Sequence, residues 1–308
     1  MLIKSQPMQS LAATLSDSPQ KGRSPWTDAR ERFLKNRMAV LGLALLLFVI
    51  VFALIGPFIA AWPIDTIDFT VMGDIAGQGA PSFANGHYFG VDDLGRDMFA
   101  RTVQGTQISL AVGVVGAAIA VIVGTVYGAV SGYFGGRVDG AMMRLVDILL
   151  AIPYMFILIL MLVMFGRSLL MLFIGIGLLS WLEMSRIVRG QTLSLKQKDY
   201  VEAARAIGVP AITIIRRHIL PNLLGVVVVY ATLLVPGMIL SESFISFLGL
   251  GVQEPLTSLG TLIWDGSKTM AYGTLWQLAF PLFFFVVTLF AFYVVGDGLR
   301  DALDPKDR

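Results

Sequence analysis

Few side chains in this sequence could carry out covalent or metal chemistry. There are two histidines, His87 and His218, far apart in the chain, and no cysteine. Metal sites gather their ligands, so each histidine reads as a surface or helix-end side chain. Without thiols there is no disulfide framework, thiolate zinc site or iron–sulfur cluster. Gly266, Ser267, Lys268 and Thr269 resemble part of a phosphate loop. They lack the glycine before lysine that the G-x-x-x-x-G-K-[ST] motif requires, so nucleotide binding is not expected. A net charge of +2 gives no case for a nucleic-acid partner.

The ionisable groups nearest membrane depth are Glu183 and Glu242. An acid in such a position suggests function by default. Glu183 stands three residues before Arg186, the spacing of an intrahelical pair, and Arg144 precedes Asp147 in the same way. Glu242 falls at the outer end of an apolar run, where a solvated and a gate-lining role are both open.

Residues 200–222 hold the most local information. They predict two short helices around a break. Glu202 suits the positive end of the first helix, and Ala203, Ala204 and Ala206 are strong helix formers of minimal bulk. Gly208 can take the left-handed conformation that ends a helix, and Pro210 suits the first turn of the next. Ile212, Ile215 and Ile219 are spaced to line one face of that second helix. Arg216, Arg217 and His218 lie at its far end, where positive charge is favoured. A small-residue surface with an apolar edge suits docking in a groove of another protein. It suits equally a helix lying on lipid headgroups.

The elements that position these residues follow from composition. Of 308 residues, 56% are hydrophobic and 14% charged, against about 25% charged in soluble domains. Mean hydropathy is +0.76. Such a surface must largely face lipid, and only helices satisfy an open chain's backbone there. The chain is therefore read as an all-α membrane protein. Runs at 39–61, 108–130, 148–166, 219–241 and 276–296 are of spanning length. A shorter run, 168–182, spans with the help of Glu183, Met184 and Ser185, making six transmembrane helices. No cleaved signal peptide is expected, because the first apolar run is of full spanning length.

Basic residues orient the bundle. Lys4, Lys21, Arg23, Arg30, Arg32, Lys35 and Arg37 precede the first span. Arg186, Arg189, Lys196, Lys198, Arg205, Arg216 and Arg217 lie between spans four and five, and Arg300, Lys306 and Arg308 follow span six. Six crossings put all three groups on one side, so both termini are expected in the cytoplasm. Residues 62–107, with Arg96 and Arg101 beside Asp65, Asp68, Asp74, Asp92, Asp93 and Asp97, are then external, with little core of their own. The expected partition is a cytoplasmic segment 1–37, a first span at 38–62, an external segment 63–107, a core 108–299 of five spans with a cytoplasmic loop at 196–221, and a cytoplasmic tail at 300–308. Residues 247–251 read as a re-entrant or interfacial piece. Gly124, Gly128, Gly132 and Gly136 recur every four residues and predict a packing groove. Pro57, Pro153, Pro236 and Pro281 predict kinks.

Several motifs carry a family resemblance. Glu202-Ala203-Ala204, Gly208 and Pro221, placed after the fourth span, resemble the "EAA" loop of ABC-importer permeases. Residues 86–97, with Gly86, Asp92, Arg96 and Asp97, then Gly105, Ser109 and Leu110, resemble the oligopeptide, dipeptide and nickel group. So does the end, from Gly296 to Asp304 and Pro305. Trp26 to Phe33, Asn36, Arg37, the run 187–194, and the run 246–255 with Glu254 and Pro255 are similar to the C-type permease of oligopeptide importers. The resemblance runs from about residue 24 to the end.

It implies the six-helix type I importer fold, called MetI-like, in a bacterial inner membrane. It implies a heterodimer with a second permease, two ATP-binding subunits, an external peptide-binding protein and a peptide substrate. Glu202, Ala203, Ala204, Gly208, Arg216, Arg217 and Pro221 are the implied contacts to the ATPases. ATP and Mg would be bound by those partners and no cofactor by this chain, which is not expected to be an enzyme. Dipeptide, glutathione or nickel transport is the alternative within the family. A secondary transporter would place carboxylates mid-span and show internal repeats; here the spans have uncharged middles.

Overall fold

Asn36 shows how local sequence starts the first membrane helix. Its side-chain oxygen accepts from the backbone nitrogens of Met38 at 3.1 Å and Ala39 at 3.2 Å. It thereby ends one helix, α1 (Pro25–Lys35), and caps the next, α2 (Arg37–Ile59). The computed structural model describes residues 25–303. Lys4, Lys21, Arg23, Asp304, Pro305, Lys306 and Arg308, used above, lie outside the described residues. After a short α3 (Ile75–Gln78) come α4 (Met98–Phe134), α5 (Gly136–Ala151), α6 (Tyr154–Phe165) and α7 (Leu169–Leu195). Then follow α8 (Asp199–Ala206), α9 (Ala211–Phe247), α10 (Leu259–Thr269) and α11 (Trp276–Leu303). The chain is an all-α membrane protein: α2, α4, α7, α9 and α11 are long and apolar enough to cross a membrane, and α5 with α6 makes a sixth span if taken as one.

Three boundaries differ from expectation. Helix α4 starts at Met98 rather than 108, because Asp97 caps it, accepting from Ala100 N at 2.8 Å. Its early polar residues are absorbed within the helix, as where Thr106 donates to the Thr102 carbonyl at 2.8 Å. The third span is broken, not merely kinked: α5 and α6 meet at 78°. A residue before proline is driven from the helical region, and Ile152 before Pro153 is extended. Helix α11 continues to Leu303, past the predicted end of its span. Pro57, Pro236 and Pro281 lie inside helices that continue through them.

Glycines set the central packing. A Cβ at Gly124 would meet Met184, one at Gly128 the Ser185 carbonyl and Val188, and one at Gly132 Thr192. Both sets of numbers rise together, so α4 and α7 run parallel in near backbone contact, as the glycine stripe predicted. Gly136 does not take part: it opens α5 at φ +53 with open space around it. Gly113 faces Val235 and Ile239, and Ser109 one turn earlier bonds Glu242, so α9 runs antiparallel to α4. At the other flank, Gly298 abuts Ala39, and Phe52 stacks on Phe284 at 3.8 Å between ring centres, joining α2 to α11.

This register gives the bundle two ends. At one are the C-termini of α4, α7 and α11 with α8; at the other are residues 60–97, the start of α4 and α10. The second end is more structured than predicted. Val71, Val91 and His87 are buried there. His87 is not a surface side chain: it stacks on Trp62 at 4.6 Å. Its Nδ1 lies 2.9 Å from Asp97 and its Nε2 3.4 Å from Asp68. Residues 247–251 are no separate re-entrant piece. They end α9, with Gly249 at φ +73 and Leu250 N bonded to the Ile245 carbonyl at 3.0 Å.

Candidate functional site

Residues 199–221 build an elbow between α7 and α9. Asp199 and Glu202 occupy the first turn of α8, where the helix dipole favours them. The helix closes at Gly208, φ +81. Val209 N bonds the Ala204 carbonyl at 3.1 Å and Gly208 N the Arg205 carbonyl at 3.0 Å. These are the paired bonds of a left-handed glycine cap. Pro210 then caps the following helix rather than sitting in its first turn.

The expected second short helix is not separate. It runs through a π-helical turn, Ile215–Ile219, straight into the long membrane helix. Pro221 explains the turn. Inside a helix, proline lacks an N–H and its ring presses on the carbonyl four residues back; a widened turn there relieves both. The widening also moves the apolar face. Ile214, Ile215 and Ile219 are buried, whereas Ile212 is 72% exposed and does not share the predicted face.

Burial divides the elbow in two. Val201, Ala204, Ile214, Ile215 and Ile219 pack on Ala129, Tyr133, Met184 and Val188 of α4 and α7. Arg205 lies 5.6 Å above the Tyr133 ring, and Lys196 donates to the Gly132 carbonyl at 2.8 Å. The outer surface carries Glu202, Ala203, Gly208, Arg216 and Arg217, all exposed, with Ile207 at 82% and Ile212 beside them. Of the sequence candidates, Ala204 faces inward, and Pro221 lies in a separate groove with Trp26, Tyr230 and Arg300. Ile207, the most exposed apolar side chain of the tip, was not a sequence candidate; its position between the alanines and Gly208 could have signalled it.

The predicted pairs within helices are replaced by pairs between them. Arg186 binds Asp147 across α7 and α5, and Glu183 stays exposed. Arg189 holds Asp139 through two bonds of 2.5 Å, and Ser131 adds a third at 2.6 Å, which fixes the start of α5 to α4 and α7. Glu242 is neither solvated nor open to a gate: it is fully buried. It accepts from Ser246 at 2.6 Å and Ser109 at 3.3 Å, while Leu259 N donates to Ser109 at 3.2 Å. The end of α9 far from the elbow is thus tied to α4 and to the first residue of α10.

At the end opposite the elbow, Arg96 binds Asp92 at 2.7 Å and Glu254 at 2.8 Å. The hydrogen bond from Arg96 holds the Glu254 carboxyl below its ordinary range. Burial pushes the Asp97 carboxyl up, whereas the hydroxyl of Thr70 holds Asp68 down. Among the described residues, no group of three or more histidine or acidic side chains could hold a metal ion.

Residues 121–308 match the family described as binding-protein-dependent transport system inner membrane component. Residues 24–77 match the N-terminal membrane domain of oligopeptide transport permease C. The chain is 49% identical over 301 residues to the oligopeptide transport system permease protein OppC of Haemophilus influenzae, covering 98% of this chain and 95% of that one. It is 51% identical over 288 residues to the Escherichia coli protein of the same name, covering 94% and 93%. It is 44% identical over 294 residues to the dipeptide transport system permease protein DppC of Bacillus subtilis, covering 95% and 90%.

Proposed function

The chain belongs to the family of binding-protein-dependent transport system inner membrane components, and from that premise we propose that it works as a permease subunit of an ATP-driven oligopeptide importer. It is a multi-pass inner-membrane protein. In this reading a second, different permease completes the pathway, two ATP-hydrolysing subunits dock on the elbow, and an external binding protein delivers peptide. Segments 1–37, 196–221 and 300–308 face the cytoplasm and 63–107 faces outside. ATP and Mg reside in the partner subunits.

One observation carries the reading: the elbow is braced from within and bare without. Glu202, Ala203, Ile207, Gly208, Ile212, Arg216 and Arg217 form a small-residue, apolar and basic surface suited to a groove on another protein. The elbow is continuous with α9, 37 residues long, a rod of about 55 Å. A push on the elbow therefore reaches the Glu242 cluster at the far end as movement of one body. The ATPases drive transport only if they favour one arrangement of these helices over the other.

The deciding experiment measures peptide uptake by vesicles holding the complete transporter. Uptake should continue when an ionophore collapses ion gradients and stop when ATP is removed. Uptake that follows the gradient and ignores ATP would replace this reading with a secondary transporter. The dipeptide permease relative supports a second reading within the family, distinguished by competition between dipeptides and longer peptides.

A further inference from the structure

Helix α7 leaves one carboxylate without a partner at membrane depth. The apolar run that predicts this span ends at 182, but the helix continues to Leu195. Glu183 therefore falls near the middle of α7, about 18 Å from its elbow end. Its side chain is exposed, and among the described residues it makes no ion pair or side-chain hydrogen bond. Arg186, one turn on, is taken by Asp147. Of the three charges at this level two cancel, and the negative charge of Glu183 remains. A carboxylate facing hydrocarbon at that depth is strongly disfavoured, so this side of α7 does not look into lipid.

The neighbours along the helix agree. Ser180, Glu183, Gly190, Gln191 and Ser194 share one side of α7, interrupted by Ile187. They lie opposite the side on which Trp181, Ser185, Val188 and Thr192 pack on α4. Towards the elbow, Gln191 lines a groove of about 840 Å³ together with Leu195, Tyr230 and Arg300. A polar side of a spanning helix that leads from mid-depth into a groove is the wall of a water-filled route. The two cations of the groove, Lys198 and Arg300, stand near the elbow ends of α7 and α11 and form no ion pair with Glu183.

We propose that Glu183 lines the peptide pathway and binds an ammonium group of the passing peptide, at its amino terminus or on a lysine side chain. The proposal rests on the functional reading above, which supplies the peptide and places the elbow end in the cytoplasm. The charge selects the ligand. A lone carboxylate attracts a cation, and an ammonium is a compact charge with three donors that every peptide with a free amino terminus carries. Exposure to water keeps the contact weak. Passage requires this, because a site that binds tightly does not let its occupant leave.

The test uses vesicles holding the complete transporter with its binding protein. The sequence has no cysteine, so Glu183→Cys gives this chain a single thiol. A water-soluble methanethiosulfonate supplied on both sides should modify it. No modification means that lipid or the second permease seals the face, and overturns the proposal. Glu183→Gln then removes the charge at constant size. Peptides compete pairwise for uptake: a lysine-free tetrapeptide against its N-acetylated form, and an N-acetylated lysine tetrapeptide against the same blocked peptide. Preference for the ammonium-bearing member should fall about threefold or more in Glu183→Gln and return in Glu183→Asp. A fall in the first pair assigns the contact to the amino terminus, a fall in the second to lysine. Unchanged preference in both pairs overturns the proposal, even where total uptake drops, because a structural role slows all peptides alike. Selection by the binding protein is common to every variant and cancels. If Glu183→Gln does not assemble, the Glu183→Cys transporter repeats the comparison. Labelling with a sulfonatoethyl reagent restores a negative charge and should restore the preference; no restoration overturns the proposal. Failure of the functional reading is separate: the wild-type complex would then take up no peptide when ATP is supplied.

Discussion

Replacing Gly208 separates backbone conformation from packing at the elbow. Nothing lies within 4 Å of a Cβ built there, and φ is +81. An alanine therefore meets no neighbour, and its cost is conformational, about 1–2 kcal/mol for an L-residue held in the left-handed region. Asparagine tolerates that region better and should cost less. Proline should cost more than either, because it fixes φ near −65° and removes the 3.0 Å bond from Gly208 N to the Arg205 carbonyl. If the ATPases dock on the capped elbow, this strain appears in docking affinity. One to two kcal/mol is a factor of about 5–30. Titrating ATPase subunits into a reconstituted permease pair should give dissociation constants in the order Gly208, Gly208→Asn, Gly208→Ala, Gly208→Pro. Wild-type affinity in Gly208→Ala would refute the reasoning, as would equal losses for asparagine and alanine. The first result would mean that the cap is not read by the partner, the second that conformation is not the cause.

Four further outcomes follow from contacts elsewhere in the bundle. Gly128→Val places a branched side chain against the Ser185 carbonyl and Val188 and should destabilise the bundle by about 1–3 kcal/mol. Gly140→Ala, with open space around it, should be neutral or stabilising by up to about 1 kcal/mol; thermal unfolding in detergent compares the two. Asp139→Ala strips Arg189 and Ser131 of their shared acceptor and should cost about 1.5–3 kcal/mol by the same assay, with Asp139→Asn losing less. The Arg96–Glu254 bridge should show a defined pH dependence. Glu254 is held below its ordinary 4.5 by the Arg96 hydrogen bond, so its stabilisation is complete above 4.5 and is lost as pH falls through the lower folded value. The difference in melting temperature between wild type and Glu254→Gln should hold constant from about pH 5 to 8 and close below about 4.5; a difference that changes near neutrality would contradict the assignment.

Much of the architecture was legible because its causes are local. A run of apolar residues long enough to span needs no distant partner to be recognised. Gly208 announces a left-handed cap because only a few residue types adopt φ near +81 readily. Gly124, Gly128 and Gly132 mark a close helix contact because a four-residue spacing is itself a helix face. The family resemblance rested on these local motifs, and the comparisons extend it across nearly the whole chain.

Contacts between distant segments were not legible in this way. Arg186 could have paired with Glu183 one turn away; the antiparallel packing of α7 beside α5 brings Asp147 to it instead. His87 looked like a surface residue because Trp62, Asp68 and Asp97 reach it only when residues 60–97 fold back on themselves. The π turn before Pro221 shifted the isoleucine face by relieving a clash that depends on the helix being continuous. From the sequence alone came the class, the spans and the bent elbow, since side-chain period and backbone conformation are properties of neighbouring residues. The tertiary structure alone decided which charges meet, which acid is buried, and that Arg96 binds both Asp92 and Glu254. Those outcomes depend on distances between atoms that the chain separates by up to 158 residues.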